Sequence, residues 1–319
     1  MNKKNNLVLP ASCQRRNNIL MMQIMSVLNY ITWNVSPFIY EGEHFAIGWY
    51  GTLVTIAILI VYLLQYVIYK SENYDRKYVD VAFIFCTIFG TLFCHVFHCL
   101  FYEWYDVRLT ENQGLGAPVN FLGFIFNFRN PTIEHAQELL RIGHGMASHG
   151  IDIGMFIGAT IVAKHFFYCN VWWIMDRMIV SRLAFHSVSR LCNIFNSEIY
   201  GYPTDMPWGF LFVQNGDALP CHPTAIYESL LAIAAVAIWW VLYKKTSIRN
   251  KIGFLTGIGA LMLWIPRFFI EFLKPVQSAF EDNFILNMGQ MLSIPYIVIG
   301  IVLLIYAYKV TPTKRAPVY

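Results

Sequence analysis

The chain has 319 residues, of which 57% are hydrophobic and only 13% charged, and its mean hydropathy is +0.47. Ordinary soluble domains carry about 25% charged residues, so this composition excludes a soluble globular protein and predicts an all-α polytopic membrane protein. The formal net charge of +4 is small and falls in short loops, where it speaks to topology and not to nucleic-acid binding.

Residues 1–20 are polar and basic, with Lys3, Lys4, Arg15 and Arg16 and no apolar h-region. That pattern argues against a cleaved signal peptide. An apolar and aromatic stretch over 19–40 follows, interrupted by Asn, Ser and Pro. It reads as an interfacial arm rather than a span. About seven transmembrane helices come next, near 46–69, 79–102, 147–168, 172–196, 223–243, 252–273 and 288–308. Each is long enough to cross roughly 30 Å of hydrocarbon. The fourth is the least apolar. The domain plan is therefore a basic extension and arm over 1–45, a membrane domain over 46–310, and a tail over 311–319. Residues 103–146, with Gly114, Gly116 and Pro118, read as a small extracytoplasmic cap.

Orientation follows from lysine and arginine. Lys70, Arg76, Lys77, Lys164, Arg177, Lys244, Lys245, Arg249, Lys251, Lys309, Lys314 and Arg315 fall on one side. The positive-inside rule makes that side cytoplasmic, with the C-terminus, and puts the arm and the cap outside. The basic N-terminus is then anomalous, which a natural start at Met21 or Met22 would explain. Seven cysteines include no Cys-x-x-Cys pair. Those in apolar spans (Cys86, Cys94, Cys99 and Cys192) read as packing residues.

Polar groups gather at the outward helix ends. Trp49-Tyr50-Gly51 opens the first span and His149-Gly150 the third. Arg190, Asn193, Asn196, Ser197, Glu198 and Gly201 close the fourth, with Arg190, Asn193 and Ser197 expected on one helix face. His222-Pro223 with Tyr227-Glu228 opens the fifth, and Arg267 and Glu271 stand four residues apart late in the sixth. Each has a plain structural reading: belt aromatics, a satisfied histidine, a structural ion pair. Together, two arginines and a histidine at one depth suit an anionic lipid headgroup. Arginine offers bidentate donors to phosphate, and histidine moves protons near neutral pH.

Longer motifs sharpen the reading. They include Asn29-Tyr30-Ile31-Thr32-Trp33-Asn34, Ala147-Ser148-His149-Gly150 and Arg190-Leu191-Cys192-Asn193-Ile194-Phe195-Asn196-Ser197-Glu198 with Tyr200-Gly201. His222-Pro223-Thr224-Ala225-Ile226-Tyr227-Glu228, Arg267-Phe268-Phe269-Ile270-Glu271-Phe272 and Asn287-Met288-Gly289-Gln290-Met291-Leu292-Ser293-Ile294-Pro295 follow in order. In these motifs, from about Asn18 to Tyr308, the chain resembles the prolipoprotein diacylglyceryl transferase family. The resemblance implies a bacterial inner-membrane enzyme that moves diacylglycerol from phosphatidylglycerol to the lipobox cysteine of a prolipoprotein, forming a thioether. It implies no metal and no cofactor. By the same resemblance His149, Arg190, Arg267 and Glu271 are the catalytic candidates. Tyr50, Arg190, Asn193, Asn196, Glu198, Gly201, His222, Tyr227 and Arg267 are the candidates for binding phosphatidylglycerol.

The chain also departs from that pattern. Phe93-Cys94-His95-Val96-Phe97 stands where the family writes Gly-Ala-Arg-Leu-Gly, and Ser189 replaces a glycine before Arg190. Arg182 and His186 join Arg190 in a stripe at i, i+4 and i+8. The stripe is expected inside the bundle, either replacing the lost charge in holding anionic lipid or meeting His95 or Asp152. The alternatives to transfer are an inactive paralogue of the family and, from another class, a lipid or anion transporter.

Overall fold

The structure, a computed structural model, describes residues 30–43, 45–98, 148–275 and 286–309. The N-terminal extension with its candidate start sites, the predicted cap and the C-terminal tail fall outside these residues.

Seven long helices run through the described residues. They are α1 (Trp49–Ser71), α2 (Arg76–His98), α3 (Ser148–Val162), α4 (Val171–Phe195), α5 (Thr224–Lys245), α6 (Phe254–Ile270) and α7 (Met288–Lys309). α3 continues as a π-helical turn over Ala163–Phe167, and α6 as a 3-10 turn over Glu271–Leu273. Six of these segments are long and apolar enough to cross a membrane. The chain is thus an all-α polytopic membrane protein, and each predicted span corresponds to one helix.

α4 is the exception to the apolar rule, and its packing explains why. Its 25 residues include buried Asp176, Arg177, Arg182, His186, Arg190 and Asn193. Charged side chains in hydrocarbon must face protein, and α4 packs against α1, α5 and α6. At 1.5 Å per residue it is about 37 Å long. α4 is the polar axle of the bundle, and the lipid-facing helices can be apolar because it is not.

Antiparallel contacts fix which helix ends share a side. Gln65 of α1 donates to the Arg177 carbonyl and to Ser181 Oγ of α4, at 2.8 and 2.6 Å. At the other end of the same pair, Cys192 Sγ approaches the Tyr50 carbonyl at 3.9 Å. Ser187 and Ser229 join α4 to α5 at 3.0 Å. The start of α1, the end of α4, the start of α5 and the end of α6 therefore lie at one end of the bundle.

The opposite end is tied by charge. Arg177 forks onto Glu72, with Nη2 2.9 Å from both carboxylate oxygens, and lies 3.7 Å over the Trp173 ring. Tyr243 donates its hydroxyl to the same carboxylate. Asp176, fully buried, accepts from the Gly253 and Thr256 amides and from the Thr256 hydroxyl, each at 2.7 Å. It caps the first turn of α6, where a helix leaves its amides unpaired.

α2 and α3 approach backbone to backbone. Gly150, Gly154 and Gly158 recur every four residues, and a Cβ on any of them would collide with the α2 backbone at Phe93, Phe89 and Phe85. In lipid, such small residues let helices gain dispersion contact that the hydrophobic effect does not supply. Gly154→Ala is expected to cost roughly 1–3 kcal/mol as overpacking, read as a lowered melting temperature in detergent. An unchanged melting temperature would show that the two backbones do not touch.

The arm is strand-forming from residue 31. β1 (Ile31–Trp33) pairs in parallel with β4 (Phe210–Phe212), and β2 (Phe38–Glu41) pairs antiparallel with β3 (Ala46–Gly48), which leads directly into α1. Trp33 donates its indole N–H to the Ile194 carbonyl at 3.0 Å, satisfying an orphan group at the end of α4. Phe195 sits between Trp33, edge-on at 5.7 Å, and Trp49, stacked at 4.7 Å. The arm therefore closes the same end of the bundle that holds the polar helix termini.

Candidate active site

Glu228, in the first turns of α5, is the centre of the polar cluster. Its Oε2 lies 2.7 Å from Arg190 Nε, 3.1 Å from Arg267 Nη1 and 3.4 Å from His186 Nε2. Its Oε1 meets Lys274 Nζ at 2.5 Å. Lys274 also contacts Glu271 Oε2 at 3.0 Å. All six side chains are buried, at 3–9% of full exposure. A buried charge is tolerated only when paired, and here one carboxylate is shared by α4, α6 and the turn after α6. Three cations against two carboxylates leave the cluster with a net charge of +1.

One side of the cluster opens on a narrow cleft of about 10 Å³ lined by α4, α5 and α6. His186, Glu228 and Arg267 form its polar end, and Leu231, Met262, Leu263 and Pro266 its apolar walls. Pro266 has no amide for the Met262 carbonyl, so the helix is locally unpaired where it lines the cleft. The arrangement offers an anion a positive seat and gives hydrocarbon an adjacent apolar surface.

The predicted residues divide into groups. Arg190 and Arg267 meet, as expected from their depth. Glu271 was expected to pair with Arg267 at i+4. In the structure α6 tightens into a 3-10 turn at Glu271, its carboxylate takes Lys274, and Arg267 pairs with Glu228. Asn193 is buried, and its carbonyl accepts the Glu198 amide at 2.9 Å. The expected face of Arg190, Asn193 and Ser197 is broken, because α4 ends at Phe195 and Ser197 turns into the left-handed region with φ 53°. Ile199 is left-handed too, at φ 56°. For a β-branched residue that is a strained backbone, held here by Thr224 Oγ1 on the Ile199 carbonyl at 2.9 Å.

Asn196 and Glu198 pair with each other at 3.0 Å at the solvent edge. Gly201 packs without a side chain because a Cβ there would lie 2.5 Å from the Leu273 carbonyl oxygen and 2.9 Å from His222 and Thr224. Its amide donates to the His222 carbonyl at 2.8 Å, and the Tyr202 amide donates to Leu273 at 2.8 Å. These bonds stitch the end of α4 to the start of α5 and the end of α6. His222 Nδ1 lies 3.2 Å from the Tyr227 hydroxyl, which accepts from Trp208 Nε1 at 2.9 Å. This is a second, half-buried polar chain beside the first.

His149 occupies a different setting. It is 2% exposed and stacks on Trp264 at 4.7 Å, while its carbonyl accepts the Tyr296 hydroxyl at 2.7 Å. Its Nε2 is buried with no hydrogen-bond partner among the described residues. Tyr50, half-buried, opens α1 against Cys192.

Of the readings open for the stripe, the contact with Asp152 is the one present. Arg182 and His186 do face inward with Arg190. Arg182, however, is taken up by Asp152, 2.6 Å from Nε, so that charge is neutralised one layer below the cluster. Lys274 is the site residue that sequence reasoning missed, and Glu228 was named at the opening of the fifth span without a role in the site. Lys274 stands three residues after Glu271 and seven after Arg267, a spacing that puts the three on one helical face. The cysteines behave as packing residues: the five described ones are free. Outside the helices, burial pushes the Cys169 and Cys221 thiols up to about 12 and about 11.

Comparison with known proteins places this site in context. A sequence profile described as prolipoprotein diacylglyceryl transferase matches residues 37–306. A phosphatidylglycerol–prolipoprotein diacylglyceryl transferase of Porphyromonas gingivalis is 30% identical over 305 residues, covering 91% of this chain and 99% of the relative. One from Bacteroides fragilis is 32% identical over 296 residues, with the same coverage. One from Chloroherpeton thalassium is 27% identical, covering 89% of this chain and 97% of the relative. With the profile running through every helix described above, the chain belongs to the prolipoprotein diacylglyceryl transferase family.

Proposed function

We propose that this chain transfers the diacylglyceryl group of phosphatidylglycerol to the lipobox cysteine thiol of a prolipoprotein signal peptide, as the first step of lipoprotein maturation. The observation that carries this reading is the buried cluster of net charge +1 around Glu228, open to an apolar cleft. A phosphodiester bears one negative charge, so it matches the cluster, and the apolar side chains beside the cluster suit its acyl end. In the reaction an S–C bond forms, a C–O bond breaks, and glycerol phosphate leaves with the electron pair. Arg190 and Arg267 hold the phosphate as charge develops on it. Lys274, itself paired with Glu271, holds the far side of Glu228. Tyr50, Asn193, Asn196, Glu198, Gly201, His222 and Tyr227 shape the headgroup end around the thiol and the glycerol. His149, with its unpartnered buried Nε2, takes the thiol proton.

The protein sits as a multi-pass protein in a bacterial membrane, and we assign the inner membrane. α4 is the seventh crossing, made as a protein-lined span. The cluster end, the arm and the N-terminus face outward, and the C-terminus is cytoplasmic, as the lysine and arginine distribution requires.

Purified protein mixed with phosphatidylglycerol and a lipobox peptide tests the proposal. The peptide is expected to gain the mass of one diacylglyceryl group. A folded protein that leaves the peptide unmodified overturns it. In the same assay His149→Gln keeps hydrogen bonding without titration and is expected to lower the rate by about 10²-fold or more at neutral pH. A rate that recovers fully at raised pH would show that the thiol ionises without help from His149.

A further inference from the structure

His186 belongs to the cluster but has no role in the reading above. It lies one turn from both Arg182 and Arg190 on α4, lines the cleft, and is 3% exposed. Its Nε2 stands 3.4 Å from Glu228 Oε2, the oxygen that also holds Arg190 and Arg267. At 3.4 Å the pair lies beyond the usual N–H···O distance, and an ionised carboxylate only accepts, so a proton on His186 is what would join them. The charged and titratable groups around His186 come from every side. Arg182 and Arg190 lie on its own helix, Glu228 on α5, Arg267 on α6, and Lys274 and Glu271 beyond Glu228. From α3 come His149 and Asp152, the latter held to Arg182.

Oxygen Oε2 cannot serve two arginines that a phosphate has claimed. When Arg190 and Arg267 turn their donors to an anion, Glu228 keeps Lys274 on Oε1 and only His186 on Oε2. A negative charge entering beside an imidazole favours its protonated form, and so does a carboxylate freed from other cations. The charge count gives this a direction. With neutral His186 the cluster is +1 and suits a phosphodiester. With protonated His186 it is +2 and suits a phosphomonoester dianion, the charge type of the leaving group.

We infer that His186 is a positioning residue that acts through Glu228 and takes up a proton when a phosphomonoester dianion occupies the site, so that the cluster's charge follows its ligand's. The inference rests on the headgroup reading, and the two fail differently. The probe is glycerol phosphate, titrated calorimetrically into the full-length protein in nanodiscs, in two buffers of different ionisation enthalpy. Between pH 7.5 and 8.5 this ligand is already a dianion, since its second proton leaves near pH 6. Proton uptake is expected on binding, up to one per ligand, and affinity is expected to fall as the pH rises. His186→Gln places a neutral donor beside Glu228 and is expected to bind with no proton uptake and a flat pH profile. His186→Asn serves the same purpose if the glutamine variant does not fold. Wild-type binding without proton uptake overturns the inference and leaves the headgroup reading standing. Undiminished uptake in the folded variants also overturns it, because the proton then goes elsewhere. If neither glycerol phosphate nor phosphatidylglycerol binds, both readings fall.

Discussion

Arg190→Lys is expected to lower the transfer rate by about 10²- to 10³-fold, the usual loss when one preorganised charge-stabilising donor is removed. The positive charge survives this change, so the effect isolates geometry. Arg190 sits 7% exposed at the end of α4, with Nε 2.7 Å from Glu228. That contact is an ion pair and leaves the buried Nε without a hydrogen-bond partner, so the planar fork keeps donors for a phosphate. An ammonium is a point charge on a flexible stem and reproduces neither the plane nor the paired donors. It also leaves Glu228 less well held, which draws on Arg267 and Lys274. Peptide lipidation followed by mass spectrometry measures the rate, and the yield of detergent-purified protein controls for folding. Near-normal turnover in Arg190→Lys would remove Arg190 from the phosphate site.

Glu228→Ala is expected to have the largest effect on stability. The change strips the shared carboxylate from Arg190, Arg267 and Lys274 at once. Removing one partner of a buried ion pair costs about 3–5 kcal/mol because the remaining charge is left uncompensated. Three cations then face only Glu271. A drop in melting temperature and in purified yield is the readout, with Glu228→Gln intermediate because it can still accept hydrogen bonds. The charge argument adds a control: anionic phospholipid should restore more of the lost stability than zwitterionic lipid, since its phosphate can sit where the carboxylate was. A Glu228→Ala protein that melts with the wild type would show that this carboxylate does not hold the cluster together.

Spans were legible in the sequence because hydrocarbon imposes one strong demand, an apolar stretch of fixed length. The inward placement of Arg182, His186 and Arg190 was legible for the related reason that lipid cannot accept them. Partner choice was not. Lipid-facing helices such as α5 are apolar nearly all round, so periodicity does not say which side of α5 meets α4. Glu228 was therefore visible as a residue but not as the point where three elements converge. The local break at Ser197 and the tightening at Glu271 each shift side chains off the ideal helical wheel. That is how the expected pairing of Arg267 with Glu271 came to differ. The arm was read as interfacial from composition, and its pairing with β4 was hidden because three-residue strands carry almost no pattern.

That pairing constrains how the molecule is made. Asn34 meets Gln214 across 180 residues of sequence, and Trp33 meets Ile194 across 161. At roughly 5–20 residues per second of synthesis, the first strand waits on the order of 10 to 40 seconds for its partner. During that interval α1 to α4 are already emerging, while the lid over the end of α4 has nothing to close on. Contacts of such long range form late and slowly. The cluster end of the bundle, with its arginines, is thus the last part of the nascent chain to become a finished pocket, and a ribosome stalled before residue 210 leaves the arm open to chaperones and proteases.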